Sequence, residues 1–261
     1  MDKMPLHLLQ AFVLLFLFFV PLERLFHLRS QKVFRAQWFT DAIHFFANYF
    51  LVHLIFLALA FLAVRLLQPL VSPEFQARVA SQPLWLRFME AVLIADLVFY
   101  FAHRLAHAWP WLWKFHSIHH AVQEMDWLAS ARLHPLDQAL MKTLVIIPLF
   151  LMGFSATTFG AYLMFAQVQA FFIHSNLRFK FGPLRWVIAT PEFHHWHHGM
   201  TPRAYNSNFA GQFPFLDLVF GTLYMPKGAW PEKYGITKPV PTNYLKQLAY
   251  PFRKRSKNNA D

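Results

Sequence analysis

The stretch MEAVLIADLVFYFAHRLAHAWPWLWKFHSIHH, residues 89–120, joins an apolar segment to a run of histidines. Its first fourteen residues are apolar enough to lie in a bilayer, apart from Glu90 and Asp96. Five histidines follow within the next eighteen positions. This density of imidazole beside a hydrophobic segment favours a metal site at the edge of a membrane.

The composition of the whole chain agrees with a membrane protein. Of its 261 residues, 56% are hydrophobic and 18% aromatic, more than soluble domains usually contain. Five apolar runs, some shorter than the ~20 residues of a perpendicular membrane helix, cover residues 6–20, 43–67, 85–102, 139–152 and 159–173. We therefore predict an all-α integral membrane protein with four or five transmembrane helices and a helical cytoplasmic cap.

The formal net charge of +11 is better explained by membrane topology than by nucleic-acid binding, because the basic residues do not cluster with exposed aromatics on a polar domain. If the apolar runs alternate in direction, three segments share one side of the membrane: 21–42, 103–142 and 174–261. The other side then keeps only four of the 24 basic residues, namely Lys3, Arg65, Arg78 and Arg87. Basic loops favour the cytoplasm, so we expect the histidines to face it. A bacterial inner membrane is the favoured location, since no clear retrieval signal ends the chain.

Turn residues divide the apolar runs. Prolines at 69, 73 and 83 indicate a short outer loop, and GFSATT at residues 153–158 predicts a turn with a helix start at Ser155 or Thr157. The last two runs would then form a hairpin that brings His174 back to the side of the other histidines.

Three histidine motifs occur at helical spacing. HRLAH places His103 and His107 one turn apart, which alone is a weak signal. HSIHH and HHWHH each present three imidazoles within an arc of about 100°; these are His116, His119, His120, His194, His197 and His198. Two such triplets in one chain are a strong indication of a metal site.

Two single histidines complete the candidate set. His134 precedes a proline on the histidine side, and His174 ends the returning helix of the hairpin. Ten ligands are too many for one ion, so two ions are the natural number. The chain contains no cysteine, which excludes thiolate ligands and disulfides.

Other polar residues near these motifs receive a weaker interpretation. Asp96 lies seven residues before His103, within about 20° of it on a helix, and is predicted to accept the spare N–H of a ligand histidine. Tyr100, four residues after Asp96, lies near the same helical face, where a role at the site and a packing role are equally good interpretations. A solvated or helix-capping role explains four charged neighbours of the motifs at least as well as a role at the metal site does; these are Arg132, Asp137, Glu192 and Asp217. We expect no metal contact from the remaining histidines, which are His7, His27, His44, His53 and His195.

HRLAH, HSIHH and HHWHH, in this order after an apolar helix, resemble the three histidine boxes of the fatty acid hydroxylase and sterol desaturase superfamily, integral membrane enzymes with a non-haem diiron centre. DLVFYFAHRLAH, RLHPLD, HSN and NSNFAGQFPFLDLVFGTLYMP extend the resemblance over roughly residues 90–226. We interpret 1–261 as one membrane domain, with leader helices at 6–85, a catalytic region resembling that family at 86–226 and a basic C-terminal tail at 227–261.

The resemblance implies two irons, held by the ten histidines, that use O₂ to attack an unactivated C–H bond of a lipid. The outcome would be hydroxylation or desaturation, between which the sequence does not decide. Electrons would come from an external donor such as a cytochrome b5-like or ferredoxin-like protein, since the chain carries no recognisable haem or flavin module.

Two other classes of function remain open from the residues alone. A zinc-dependent membrane hydrolase would use the same imidazoles without O₂ or electrons. A histidine-rich metal transporter would instead spread its ligands through several membrane segments, whereas here most lie on one side.

Overall fold

A computed structural model describes residues 4–253 of the chain. Within this range the protein is built from α-helices, short 3-10 turns and loops, and isolated bridges pair His27 with Leu177 and Gly199 with Tyr234. The helices are α1 (Met4–Leu25), α2 (Trp38–Leu67), α3 (Pro73–Ser81), α4 (Leu84–Ala108), α5 (Pro110–His120), α6 (Pro135–Leu151), α7 (Ala156–His174), α8 (Pro191–His197), α9 (Pro214–Val219) and α10 (Tyr244–Ala249). The predicted all-α class is confirmed.

Among the described residues, three helices are long and apolar enough to cross a membrane: Leu6–Leu25, Trp38–Leu70 and Ala156–His174. Helix α4 does not meet that criterion but exposes an apolar stripe at every fourth residue, consisting of Trp85, Met89, Leu93, Leu97, Phe101 and Leu105. Residues four apart lie on one face of a helix. The opposite, buried face of α4 carries Asp96 and His103.

The turn predicted between the last two apolar runs is confirmed. Gly153 adopts a φ of 81°, a left-handed conformation that glycine tolerates best, and the chain reverses there. The hydroxyl oxygen of Ser155 then accepts the backbone N–H of Thr158 at 3.3 Å and caps the start of α7.

The segments predicted to share one side of the membrane meet at one end of the molecule. The Oε1 atom of Glu23, at the end of α1, accepts the backbone N–H groups of Trp127 at 2.8 Å and Asn176 at 2.9 Å. At the opposite end, the side-chain amide of Gln76 in α3 donates to the carbonyls of Phe150 and Leu151. The histidine end is thus assembled from segments distant in sequence.

The described part of the predicted C-terminal tail is packed against the rest of the protein. Between 227 and 253 the chain packs against the body of the protein: Tyr244 is buried, and the Oε1 atom of Gln247 lies 2.6 Å from Nε2 of His44. Burial of polar and aromatic side chains fixes this segment in place. Most of the terminal basic stretch FRKRSKNNAD, from residue 254 onward, lies outside the described residues.

Candidate metal centre

The histidine end contains two compact groups of imidazoles. The five-histidine group consists of His103, His107, His116, His120 and His197, and the four-histidine group consists of His119, His174, His194 and His198. In each group, one ring nitrogen from every member lies within 4.8 Å of those of the others. Nine of the ten candidate ligands are thereby brought together.

Four helices deliver these side chains. The end of α4 supplies His103 and His107, the end of α7 supplies His174, and α5 and α8 carry the two triplets. Both α5 and α8 begin with proline, whose fixed φ suits the first helical turn. Each triplet therefore lies in the last turns of a short helix that starts at a defined position.

Each triplet is divided between the two groups. In α5, His116 and His120 belong to the five-histidine group and His119 to the four-histidine group. At α8 the division is reversed: His194 and His198 join the four-histidine group and His197 the other. Positions 0 and 4 of the motif thus share a group, while position 3 points to the neighbouring one. The two groups are consequently tied to each other through both helices.

In the five-histidine group, three rings use their outer nitrogen to bind the protein. Nδ1 of His103 lies 2.8 Å from the carbonyl oxygen of Phe209, and Nδ1 of His197 lies 2.7 Å from that of Ser207. Nδ1 of His116 lies 2.9 Å from Oδ2 of Asp137. Because a carbonyl or carboxylate oxygen only accepts, each of these Nδ1 atoms carries the proton, which leaves Nε2 with its lone pair.

The four-histidine group shows the same arrangement at two rings. Nδ1 of His119 donates to the carbonyl oxygen of Arg132 at 3.1 Å, and Nδ1 of His174 donates to that of Ala170 at 2.7 Å. Their Nε2 atoms are therefore also left as acceptors. Such hydrogen bonds fix the tautomer and the ring orientation of metal-ligating histidines.

The inner nitrogens of the two groups approach one another closely. The Nε2 atoms of His103 and His116 are 3.0 Å apart, and those of His119 and His174 are 3.2 Å apart. In each pair both nitrogens present lone pairs, so no hydrogen bond can join them in the neutral state. A metal ion shared by the two lone pairs removes this repulsion, and the donor set fits such an ion.

Unpartnered nitrogens support the same fit. Three buried Nε2 atoms of the five-histidine group, those of His107, His120 and His197, have no hydrogen-bond partner among the described residues. Buried polar atoms are normally satisfied, since an unsatisfied one costs ~1–3 kcal/mol. A concentration of exceptions in one place indicates ligand atoms.

Electrostatics keeps these rings neutral. Burial, reinforced by neighbouring imidazoles, holds the pKa of His119, His120, His194 and His198 well below the ordinary value for histidine. Burial likewise lowers the pKa of His197 to about 3. A neutral imidazole is the form that binds metal, so the ligands require no deprotonation at neutral pH.

His134, the tenth candidate, belongs to neither group. Its Nδ1 atom accepts the backbone N–H of Leu136 at 3.2 Å and caps the start of α6. Its Nε2 atom lies 3.1 Å from the carbonyl oxygen of Leu248. Both ring nitrogens are therefore used in structural contacts, as suits a residue that precedes the first proline of a helix.

Asp96 also has a different role from the predicted one. Its carboxylate accepts the backbone N–H groups of Gly211, Gln212 and Phe213 at 2.7–3.0 Å instead of a histidine N–H. The geometry of α4 places Asp96 near the loop that follows α8, and that loop supplies more donors than a single ring. Asp137 fills the position expected for Asp96, as the carboxylate that receives a ligand histidine's N–H.

Asp137 and Arg132 are functional neighbours that spacing alone did not identify. The side chain of Arg132 is buried and paired with Asp41 of α2, which also pairs with Arg35 at 2.8 Å. Arg132 thereby fixes the carbonyl that receives His119. Arg35 and Asp41, from the predicted leader region, therefore help to position this part of the site. Glu192 instead pairs with Arg185 at 3.1 Å.

His195 and Tyr100 have partners outside the two groups. The Nδ1 atom of His195 lies 2.8 Å from the Tyr234 hydroxyl, and its Nε2 atom lies 3.1 Å from the carbonyl oxygen of Ser175. The hydroxyl of Tyr100 lies 2.8 Å from that of Thr222. Both residues are fully buried and structural in their contacts.

Comparison with known proteins gives a consistent family. The chain is 32% identical to an ornithine lipid hydroxylase from Rhizobium tropici over 73% of this chain and 57% of that protein. It is 32% identical to an alkylglycerol monooxygenase from Xenopus tropicalis over 60% of this chain and 34% of the relative. The alkylglycerol monooxygenase of Homo sapiens is 30% identical over 58% and 33%, respectively.

The chain thus covers between a third and just over half of the length of these curated relatives. No solved structure matches it. The fatty acid hydroxylase family matches residues 88–222, which include all three histidine motifs, His134 and His174. Because that match covers more than half of the chain, the protein belongs to the fatty acid hydroxylase family.

Proposed function

We propose that this protein is a membrane-bound oxidoreductase that hydroxylates a C–H position of a lipid, with one iron ion in each histidine group. The observation that carries the metal is the approach of inner Nε2 lone pairs to 3.0 Å and 3.2 Å in the two groups. The five-histidine group would hold the first ion, and the four-histidine group would hold the second.

The reactions named for the similar proteins favour iron over zinc, whereas the imidazole ligands alone do not distinguish the two metals. Imidazole accepts zinc, copper, iron and nickel alike. The similar proteins are a hydroxylase and monooxygenases, reactions that need a redox-active metal, whereas zinc has no redox chemistry. Their names also favour hydroxylation over desaturation.

The proposed reaction converts R–H, O₂, two electrons and two protons into R–OH and water. Two irons bound here would supply the oxygen activation. The electrons would come from an external cytochrome b5-like or ferredoxin-like donor. Basic residues at the histidine end suit an acidic carrier, although membrane topology explains the same charge.

The chain's own contribution is ligand orientation and exclusion of water. Eight of the nine grouped histidines are buried, which strengthens electrostatic interactions inside the site. Asp137 and the carbonyls of Phe209, Ser207, Arg132 and Ala170 hold the ring tautomers. The exposed apolar stripe of α4 suits contact between this helix and the acyl chains of the bilayer.

The location proposed for the site is the cytoplasmic side of a bacterial inner membrane. The positive charge of the segments at the histidine end supports the cytoplasmic side. The similarity to a protein from the bacterium Rhizobium tropici supports the bacterial setting.

An isotope experiment tests the proposed reaction. Membranes containing the protein would be supplied with a reduced ferredoxin system and with ornithine lipid or an alkylglycerol lipid, under ¹⁸O₂ or ¹⁶O₂, and lipids would be analysed by mass spectrometry. We expect one oxygen atom from O₂ in the product and no product from the His119→Ala His197→Ala double variant. Conversion without O₂, as expected of a zinc hydrolase, would contradict the proposal.

A further inference from the structure

Two carboxylates hold five consecutive backbone amides in the loop after α8. Oδ1 and Oδ2 of Asp217 accept the N–H groups of Phe209 and Ala210 at 2.8 and 2.9 Å. Asp96 accepts the next three N–H groups, those of residues 211–213, at 2.7–3.0 Å. We call residues 207–213 the clamped loop. Five hydrogen bonds from consecutive backbone N–H groups to two buried carboxyl groups hold this loop firmly.

The clamped loop in turn holds two metal-ligand candidates. Its carbonyls at Ser207 and Phe209 accept the Nδ1–H groups of His197 and His103. Both histidines belong to the five-histidine group. Because Asp96 and His103 lie two turns apart on the same face of α4, the loop runs along that helix and connects the carboxylate to the imidazole.

We propose that Asp96 and Asp217 are positioning residues for the five-histidine group: by clamping this loop they fix the carbonyls that orient His103 and His197. Neither aspartate forms a hydrogen bond with a histidine of either group. Their action on the proposed metal ion passes through the backbone of the loop.

Further contacts show that the loop is built for a fixed position. A Cβ atom at Gly211 would lie 3.3 Å from Oδ1 of Asp96 and 3.3 Å from the Phe99 ring. That close approach leaves little room for a side chain. On the other side, the Thr222 hydroxyl donates to Oδ1 of Asp217 at 2.6 Å and contacts Tyr100. Asp217 is therefore oriented from α4 as well.

The four-histidine group has separate supports. Its outer hydrogen bonds go to the carbonyls of Arg132 and Ala170, neither of which belongs to the clamped loop. Loosening the loop should therefore affect the metal position of the five-histidine group much more than the other position. Loss of an outer partner of a metal ligand typically lowers metal affinity ~10–100-fold.

This positioning role rests on the proposed dimetal site. Cobalt binding can test the positioning role and the dimetal site separately. Purified protein in detergent would be stripped of metal and titrated with Co²⁺, with visible absorption and thermal unfolding as readouts. The His119→Ala variant retains an intact five-histidine group, and His197→Ala retains an intact four-histidine group. We expect Asp96→Asn to weaken Co²⁺ binding ~10–100-fold in the first background and less than twofold in the second.

Asp217→Asn should repeat this pattern. Gly211→Ala provides a milder disturbance of the same contact if Asp96→Asn fails to fold. Matched controls are Glu90→Gln, the same acid-to-amide change elsewhere on α4, and Gly160→Ala, where an added Cβ meets nothing within 4 Å. An equal loss of cobalt in both backgrounds, or no loss in either, would overturn the positioning role. Failure of the unmodified protein to bind cobalt would instead contradict the proposed function.

Discussion

Replacing Asp137 by asparagine probes the contact between a carboxylate and a proposed metal ligand. Asp137 and His116 expose only 2% and 5% of their side chains, so solvent screens their 2.9 Å contact weakly. Asparagine keeps the size but loses the charge, and its amide group can turn toward Nδ1. In that orientation the ring proton would move to Nε2 and block the metal-binding lone pair.

The expected loss is about 30-fold in metal affinity at the five-histidine group, or ~2 kcal/mol, within the ~10–100-fold range of such outer partners. Competition between the protein and a chelator for Co²⁺, measured in the His119→Ala background, would give this affinity. Glu90→Gln is the control for the change of charge. An affinity of Asp137→Asn within twofold of its parent would refute the role assigned to the carboxylate.

Three further predictions concern stability in detergent. Gly153→Ala should destabilise the α6–α7 turn by ~1–3 kcal/mol, since its φ is 81° and a Cβ would meet Gln76 at 2.5 Å, whereas Gly160→Ala, inside α7, should not lower the thermal midpoint. Asp41→Asn should cost ~3–5 kcal/mol because it leaves the buried Arg132 without its carboxylate partner and Arg35 with Asp126 alone, and a midpoint like that of the parent would contradict this network. Burial lowers the pKa of His195 to about 3, so between that value and the unfolded pKa of ~6.5 unfolding takes up a proton. The free energy of unfolding therefore decreases by ~1.4 kcal/mol for each unit by which the pH is lowered through this range. In the metal-free protein, His195→Gln should reduce the slope of unfolding free energy against pH over this range by that amount; an unchanged slope would show that His195 does not contribute.

The sequence predicted the helical class, the hairpin at Ser155 and nine of the grouped histidines because these depend on local spacing. The HxxHH motif shows which rings share a helical face. It does not show which rings share an ion, since that depends on how α5 and α8 lie against each other. The crossed division of the two triplets therefore appears only in three dimensions.

The positions that spacing misassigned depend on neighbours distant in sequence. His134 had a local signal for a structural role, because a residue directly before a helix-starting proline is a natural cap. Asp96 had no such signal: its partners lie 115–117 positions away in the clamped loop. Arg132 was similarly hidden, since its partner Asp41 comes from the leader region.

Metal content per chain tests the central claim most directly. The protein would be purified from iron-supplemented cells and analysed by elemental mass spectrometry beside His119→Ala and His197→Ala, which each remove a ligand from a different group. We predict about two irons in the unmodified chain and a loss in each single variant, with the deepest loss in the double variant. Iron-free protein after reconstitution with Fe²⁺, or two irons retained in the double variant, would contradict the dimetal centre.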